Sequence, residues 1–212
     1  MRILPIAKQR LAFSAVVLLA MAAWGQQNPK TTPPPSGSMA SGWIENGMYR
    51  NSLFGFSYKL PVSWVDRTEE MQQGLTDSGK SRVLLAIFEH PPEVTAKDVN
   101  SAVVIAVEST SSYPGLKAPA QYFGPITEVA TEKGFKVFNP PYEFPVDAKP
   151  IARADYIKQL PAGTMYQSSL VLLSNGYAVS FTFVGSSDEE VYGLIDGLSF
   201  GKVKKPKAAL AQ

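Results

Sequence analysis

The clearest pattern in the chain is a pair of long apolar segments separated by a three-residue polar turn. Residues 165–173 and 177–184 are rich in apolar and β-branched side chains, and Ser174-Asn175-Gly176 lies between them. Asn-Gly readily adopts the positive φ angles of a type I′ turn, which joins two antiparallel strands. The pattern therefore predicts a β-hairpin over residues 165–184.

A helix is predicted directly after this hairpin. Ser187 followed by Glu190 is a capping-box pattern, in which the side chains accept hydrogen bonds from the first free backbone N–H groups of a helix. The apolar positions Val191, Leu194, Ile195 and Leu198 then recur at helical spacing. We expect a short helix with one face packed against the sheet.

Six earlier segments, five strands and one helix, are also predicted to form secondary structure. Residues 54–60 alternate between apolar and polar positions, as in a half-buried strand, and the runs 83–88 and 102–107 are apolar enough for central strands. Residues 135–138 and 152–157 are two further strand candidates. In the strand over 152–157, the alternating positions Arg153 and Asp155 predict one side that faces solvent. A helix is expected over 118–133, interrupted at Gly124-Pro125. Its apolar face comprises Tyr122, Ile126, Val129 and Ala130.

Strands adjacent in sequence with helices inserted between them predict an α+β domain, in which helices cover an antiparallel β-sheet. The domain is expected to span residues 43–201. Trp64 follows the strand that Pro61 ends, and we expect it to be a core residue that anchors the turn. The segment 66–79 after it is polar and is expected to be exposed.

The first 25 residues form the pattern of a cleavable secretory signal. Arg2, Lys8 and Arg10 precede an uncharged apolar run over 11–24, and Ala23-Trp24-Gly25 is a site for cleavage before Gln26. The run is short for a spanning helix, which needs about 20 apolar residues, so a retained anchor is the weaker alternative. We therefore expect an exported protein that is periplasmic or secreted.

The ends of the chain differ in composition from its middle. Residues 26–42 are rich in Pro, Ser, Thr and Gly and are expected to be a flexible tether. Removal of the signal changes the net charge from +2 to −1, with 17 basic against 18 acidic residues, so nothing favours a nucleic-acid partner. The basic tail over 202–212 contains Lys202, Lys204, Lys205 and Lys207, which would make at most a weak contact with a membrane surface.

Catalytic and metal-binding patterns are scarce. The chain has no Cys, which excludes disulfides, thiol nucleophiles and thiolate metal sites. His90 is the only His. Glu89 and Glu93 lie near it in the sequence, but the three residues do not form a metal-binding motif of the HExxH type, which needs two His residues. The acids Asp188, Glu189 and Glu190 are explained by the N-terminus of the predicted helix. We expect no metal, no cofactor and no catalytic constellation, although paired carboxylates or a Ser-Lys pair stay open as alternatives.

Three aromatic residues are the best candidates for a binding surface. Tyr113, Tyr142 and Phe144 lie beside Pro and Gly, in segments that read as loops. The aromatics within the predicted strands are explained more simply as core residues. The candidate binding residues are therefore Tyr113, Tyr142 and Phe144.

The segment over residues 49–64 resembles the corresponding segment in one protein superfamily. It contains Tyr49, Asn51, the strand Phe54-Gly55-Phe56, and then Pro61 and Trp64 at short spacing. This pattern, with the C-terminal hairpin and the ending Leu198-Ser199-Phe200, is similar to the superfamily of the photosystem II protein PsbP, the Mog-type Ran release factor and bacterial DcrB-like envelope proteins. The resemblance covers residues 49–200 and implies an αβα sandwich, but it transfers no functional residue to this chain.

Together these features lead to a functional hypothesis. The resemblance implies a binding or assembly factor, and the chain lacks recognisable catalytic motifs. We expect a non-enzymatic envelope module that binds another envelope protein. A small-molecule or lipid-binding module and an unrecognised hydrolase are the alternatives, which would need an apolar pocket or a cleft with converging ionisable groups.

Overall fold

The computed structural model describes residues 42–75, 80–91, 99–201 and 203. The predicted signal, all of the predicted tether except Gly42, and the four lysines of the basic tail lie outside the described residues. In the part of the chain that is described, no helix has both the length and the apolar character needed to span a membrane.

Two antiparallel sheets form the framework. The smaller sheet has the order β1-β2-β3-β11, and the larger sheet has the order β4-β5-β6-β10-β9-β8-β7. The strands of the smaller sheet are β1 (Trp43–Glu45), β2 (Met48–Asn51), β3 (Phe56–Lys59) and β11 (Leu198–Phe200). Those of the larger sheet are β4 (Val65–Asp66), β5 (Ser81–Phe88), β6 (Ala102–Ser109), β7 (Lys136–Glu143), β8 (Ala152–Leu160), β9 (Gly163–Ser174) and β10 (Tyr177–Gly185).

Helices cover the larger sheet on both faces. They are α1 (Thr68–Gln73), α2 (Phe123–Glu132) and α3 (Asp188–Ile195), with two single 3₁₀ turns at Thr110–Ser112 and Pro119–Tyr122. Because side chains alternate along a strand, the sheet contributes to two separate cores. The first core includes Met71 of α1 and Val129 of α2, and the second includes Phe56 of the smaller sheet and Val191 of α3. The predicted α+β class, an antiparallel sheet flanked by helices, is confirmed.

The predicted hairpin is confirmed, and the helix after it is shorter than its apolar spacing indicated. Asn175 and Gly176 have φ angles of 52° and 78°, and Ser174 pairs with Tyr177. Ser187 caps α3, since its Oγ accepts a hydrogen bond from the backbone N–H of Glu190 at 3.1 Å. Leu198 is not helical: it begins β11, where it pairs with Tyr58.

Three other expectations need correction. Gly124-Pro125 lies in the first turn of α2, where a proline removes no intrahelical hydrogen bond, so it begins the helix and does not interrupt it. The segment after Trp64 is not simply an exposed turn, because it forms α1 and buries Met71. Trp64 itself is only half-buried and packs against the edge of the second core.

The strand predicted at 135–138 is longer than expected and continues to Glu143 through Pro140-Pro141. β7 is an edge strand, and prolines are tolerated at a sheet edge because one side of an edge strand needs no ladder hydrogen bonds. The pairing of β7 with β8 shifts register on both sides of Asn139. This irregular edge lies beside the buried polar cluster that forms the candidate site.

Candidate binding site: a buried arginine beside the edge strand

Arg153 lies inside the domain, and the prediction that it faces solvent is wrong. Its relative exposure is 0%, and that of Asp155 is 6%. The alternation of β8 is as predicted, since Ala154 and Tyr156 belong to the first core. The opposite side of β8 is also covered, by residues of β7, the segment after β7 and α3.

Arg153 and Asp155 form a buried ion pair within a polar network. The Arg153 Nε donates to Asp155 Oδ1 at 2.7 Å, and Nη2 donates to the Ser168 Oγ at 3.0 Å. The Ser168 hydroxyl also donates to Oδ1, at 2.5 Å. The other carboxylate oxygen, Oδ2, accepts from the Asn139 amide at 2.9 Å and the Tyr142 hydroxyl at 3.1 Å. Both oxygens of Asp155 are therefore fully engaged.

Aromatic rings surround the guanidinium group. The Arg153 Cζ atom lies 4.2 Å from the ring centroid of Tyr192, 4.8 Å from that of Phe144 and 6.0 Å from that of Tyr142. Tyr142 and Phe144 meet edge to face, with their centroids 6.3 Å apart. Cations are attracted to the faces of aromatic rings, most strongly where water is excluded. These rings stabilise the charge of a guanidinium group that has left water.

The network determines the charge of Asp155. Burial acts to raise the pKa of this carboxyl, but the hydrogen bonds from Ser168, Asn139 and Arg153, together with the charge of Arg153, outweigh it and lower the pKa below its ordinary value. Burial is also the main reason that the pKa of Tyr142 is raised well above its ordinary value, so its hydroxyl remains a donor. The site thus combines a carboxylate and a guanidinium, both charged at neutral pH.

We expect this ion pair to make the domain acid-sensitive. A carboxyl whose pKa is lower in the folded chain than in the unfolded chain stabilises the fold above its unfolded pKa of about 3.9. That stabilisation is lost as the pH falls through the lower, folded pKa. The free energy of unfolding, measured by urea titration between pH 5 and pH 2, should therefore fall less steeply in Asp155→Asn than in the wild type.

Val62→Asn, an exposed substitution that removes no carboxyl, provides the control for this pH series. Val62→Asn should keep the wild-type slope. Equal slopes in the wild type and in Asp155→Asn would contradict the assignment of the acid response to Asp155.

The structure brings together two of the three predicted aromatic candidates. Tyr142 lies in β7 and Phe144 just after it, so both contact Arg153, although Tyr142 is in a strand and not in a loop. Tyr113 lies elsewhere: its hydroxyl and that of Tyr122 donate to Glu108 Oε2 at 2.9 and 2.7 Å, and the two rings meet edge to face. Burial, reinforced by Glu108, raises the pKa of both tyrosines.

Sequence reasoning missed Arg153 and Tyr192. Arg153 was assigned to a solvent-facing side, and Tyr192 falls on the polar side of the predicted helix. The available signal was the alternation itself. A strand with Ala on one side and Arg and Asp on the other can bury both sides if the two charged residues form an ion pair. Phe138 in β7 and Tyr192 in α3 are exposed by 57% and 42%. Phe138 precedes Asn139 of the network in β7, and Tyr192 lies over Arg153 from α3.

The remaining polar candidates make local structural contacts. The backbone N–H and C=O of His90 pair with the side-chain amide of Asn100, and the His90 ring lies 3.8 Å from Glu89. Glu93 lies outside the described residues. Glu190 accepts hydrogen bonds from Ser101 and Ser186, and these outweigh its burial and lower its pKa. Within the described ranges, no group of three His, Asp or Glu side chains is placed to hold a metal ion.

Comparisons with known proteins give structural similarities only. No protein-family model matches the chain, and no curated protein matches it. The fold is similar to the solution structure of cyanobacterial PsbP (CyanoP) from Synechocystis sp. PCC 6803, with 11% identity and a TM-score of 0.48 over 80% of this chain and 98% of that one. PsbP is one of the proteins of the predicted superfamily, and the similarity found here is one of overall fold at low sequence identity.

Two further solved structures are similar. One is the Pseudomonas aeruginosa protein of unknown function PA94, with 12% identity and a TM-score of 0.36 over 72% of this chain and 92% of that one. The other is LpqN of Mycobacterium tuberculosis, described as involved in cell envelope biogenesis, with 13% identity and a TM-score of 0.38 over 79% of this chain and 88% of that one. These similarities concern the fold and assign no site residue.

Proposed function

We propose that the protein is an exported, non-enzymatic envelope module that binds another envelope protein through one surface beside β7. This β7 surface comprises Phe138, Tyr142, Phe144 and Tyr192. The observation that carries the proposal is the concentration of the aromatic side chains Tyr142, Phe144 and Tyr192 around Arg153, beside the exposed Phe138 of the same edge strand. Export rests on the predicted signal over residues 1–25.

The composition of this surface favours a protein partner. Aromatic residues and Arg are enriched where proteins bind one another, because they combine a large apolar area with a polar or charged group. The network beneath holds Tyr142 in place through its hydrogen bond to Asp155. Side chains held in one conformation lose little entropy when a partner binds.

The edge strand itself disfavours binding by simple strand addition. Pro140 and Pro141 have no backbone N–H, and the register of β7 shifts on both sides of Asn139. A partner strand would therefore find an interrupted row of hydrogen-bonding groups. We infer that the partner recognises the side chains of the β7 surface.

The chemistry of the network is that of a support for binding. Asp155 accepts four hydrogen bonds from its neighbours, and Arg153 is not exposed, so neither is placed to transfer a proton to a substrate. A general base must lie within hydrogen-bond reach of the proton that it removes. This arrangement supports the non-enzymatic part of the proposal.

Site-specific photo-crosslinking tests the proposed surface. The full-length chain is expressed in its own host with p-benzoylphenylalanine in place of Phe138 or, as a control, in place of Val62. Val62 is 91% exposed and precedes β4 at the opposite edge of the larger sheet, six strand steps or roughly 30 Å away. We expect a discrete light-dependent adduct from position 138 and none from position 62.

Competition establishes that the adduct is specific. Excess unlabelled wild-type protein should remove the adduct in a cell-envelope extract, whereas unlabelled Phe138→Asp should not, because a buried charge would oppose docking of an apolar surface. No adduct from position 138, or equal adducts from both positions, would reject the β7 surface as the binding site.

A further inference from the structure

Arg153 has more hydrogen-bond donors than its neighbours use. A guanidinium has five N–H groups, and the contacts to Asp155 and Ser168 use those on Nε and one on Nη2. Among the described residues, the buried Nη1 atom has no hydrogen-bond partner. Buried charged donors without a partner are costly and therefore rare in folded proteins. Nη1 thus indicates a role beyond the ion pair.

Two of the three unused N–H groups lie on one edge of the guanidinium plane. Asp155 and Ser168 hold Nε and Nη2, which fixes the orientation of the group. Nη1 and the second N–H of Nη2 then point in the same direction, as a planar fork. This fork matches the two oxygens of a carboxylate, which it binds by two parallel hydrogen bonds.

The ring of Tyr192 covers the guanidinium of Arg153 and is itself partly exposed to solvent. Its ring centroid lies 4.2 Å from the Arg153 Cζ atom, while 42% of its surface is exposed. The adjacent Gly193 faces open space, because nothing lies within 4 Å of the position that a Cβ atom would occupy. Rotation of the exposed Tyr192 side chain toward solvent would uncover Arg153 without moving the backbone of α3.

We propose that Arg153 binds a carboxylate of the docked partner through Nη1 and Nη2 when Tyr192 rotates outward. This inference rests on the proposed protein-binding function and names the chemistry that the β7 surface recognises. The ligand is a single carboxylate flanked by an apolar group, since Phe144 and Tyr142 line the site and a dianion would meet the negative charge of Asp155. Tyr192 acts as the gate.

Side-chain NMR of the ¹⁵N-arginine-labelled protein tests the carboxylate site. The probes are N-acetylphenylalanine and N-acetylphenylalaninamide, which share the ring and differ in the carboxylate. We expect the carboxylate to shift the guanidinium resonances of Arg153 and the amide to leave them unchanged. Peptides that carry their carboxylate either on a side chain or at the C-terminus then identify which source the site prefers.

Substitutions of the exposed Tyr192 test the gate without the risk of unfolding the domain. Tyr192 is exposed, so Tyr192→Ala should fold and should bind N-acetylphenylalanine several-fold more tightly, because the closed state no longer competes. Val62→Ala, at an exposed position near the opposite edge of the larger sheet, should bind as the wild type does. No shift of Arg153 with the carboxylate in either the wild type or Tyr192→Ala, or equal shifts with the amide, would overturn the proposal.

The crosslinking result separates the two proposals. If the adduct from position 138 forms and Arg153 does not respond to the carboxylate, the docking surface stands and the carboxylate site is rejected. If the carboxylate binds and no adduct forms, the site stands as a small-carboxylate site and the proposed function is rejected.

Discussion

Asp155→Ala is expected to destabilise the domain by about 3–5 kcal/mol, because it leaves the charge of Arg153 buried without its partner. The Asn139, Tyr142 and Ser168 donors would lose the same acceptor. A typical domain is stable by only about 5–15 kcal/mol, so the variant should unfold at much lower denaturant concentration. Equilibrium unfolding in urea at pH 7 measures the change.

The double variant Arg153→Met with Asp155→Leu is the matched control. In a buried ion pair, the attraction between the two charges offsets most of their desolvation cost only while both partners are present. Replacing both partners by apolar residues of similar volume is often neutral or stabilising. We therefore expect the double variant to be clearly more stable than Asp155→Ala, and to lose carboxylate binding. A loss below about 1 kcal/mol in Asp155→Ala would mean that water reaches the pair and that it is not buried in solution.

Phe56→Ala is expected to cost about 3–5 kcal/mol, the usual range for removal of a buried aromatic ring. Phe56 is 0% exposed, and its ring meets Phe181 of the larger sheet edge to face at 5.1 Å between centroids. Tyr49 and Phe200 contact it within the smaller sheet, at 5.8 and 6.2 Å. Because this ring joins the two sheets, its removal should loosen the smaller sheet, which hydrogen exchange would detect.

Phe138→Ala is the control for this ring deletion, since it removes the same side chain from an exposed position. It should change the free energy of unfolding by no more than about 0.5 kcal/mol. Similar losses in Phe56→Ala and Phe138→Ala would contradict the assignment of Phe56 to the core between the sheets. The pair also separates stability from binding, because Phe138 belongs to the β7 surface and Phe56 does not.

Local sequence signals predicted the elements that depend on neighbouring residues. The turn at Asn175-Gly176 and the cap at Ser187 were both predicted correctly, since each is decided by backbone preferences within a few residues. The same Asn-Gly signal occurs at Asn46-Gly47, where φ is 51° and 70°, and it joins β1 to β2. That hairpin was missed because its strands are too short to show a clear alternation.

The elements that were predicted wrongly depend on contacts between residues that are far apart in the sequence. Leu198 continues the helical spacing of α3, but its backbone pairs with Tyr58, 140 positions earlier in the chain. Periodicity alone cannot distinguish the last turn of a helix from a short strand that a distant partner stabilises. For the same reason the strand at 135–138 was predicted too short, because its pairing with β8 extends it through Pro140-Pro141.

The sequence by itself determined the α+β class, the positions of the central strands and the C-terminal hairpin and helix, because burial patterns and turn preferences are local. It also drew attention to Tyr142 and Phe144 as aromatics outside the obvious core. Only the tertiary structure decided that Arg153 is buried: Phe144, Ser168 and Tyr192 come from separate parts of the chain to enclose it. Whether a charged residue faces water or a partner depends on such neighbours, which no spacing within a single strand reveals.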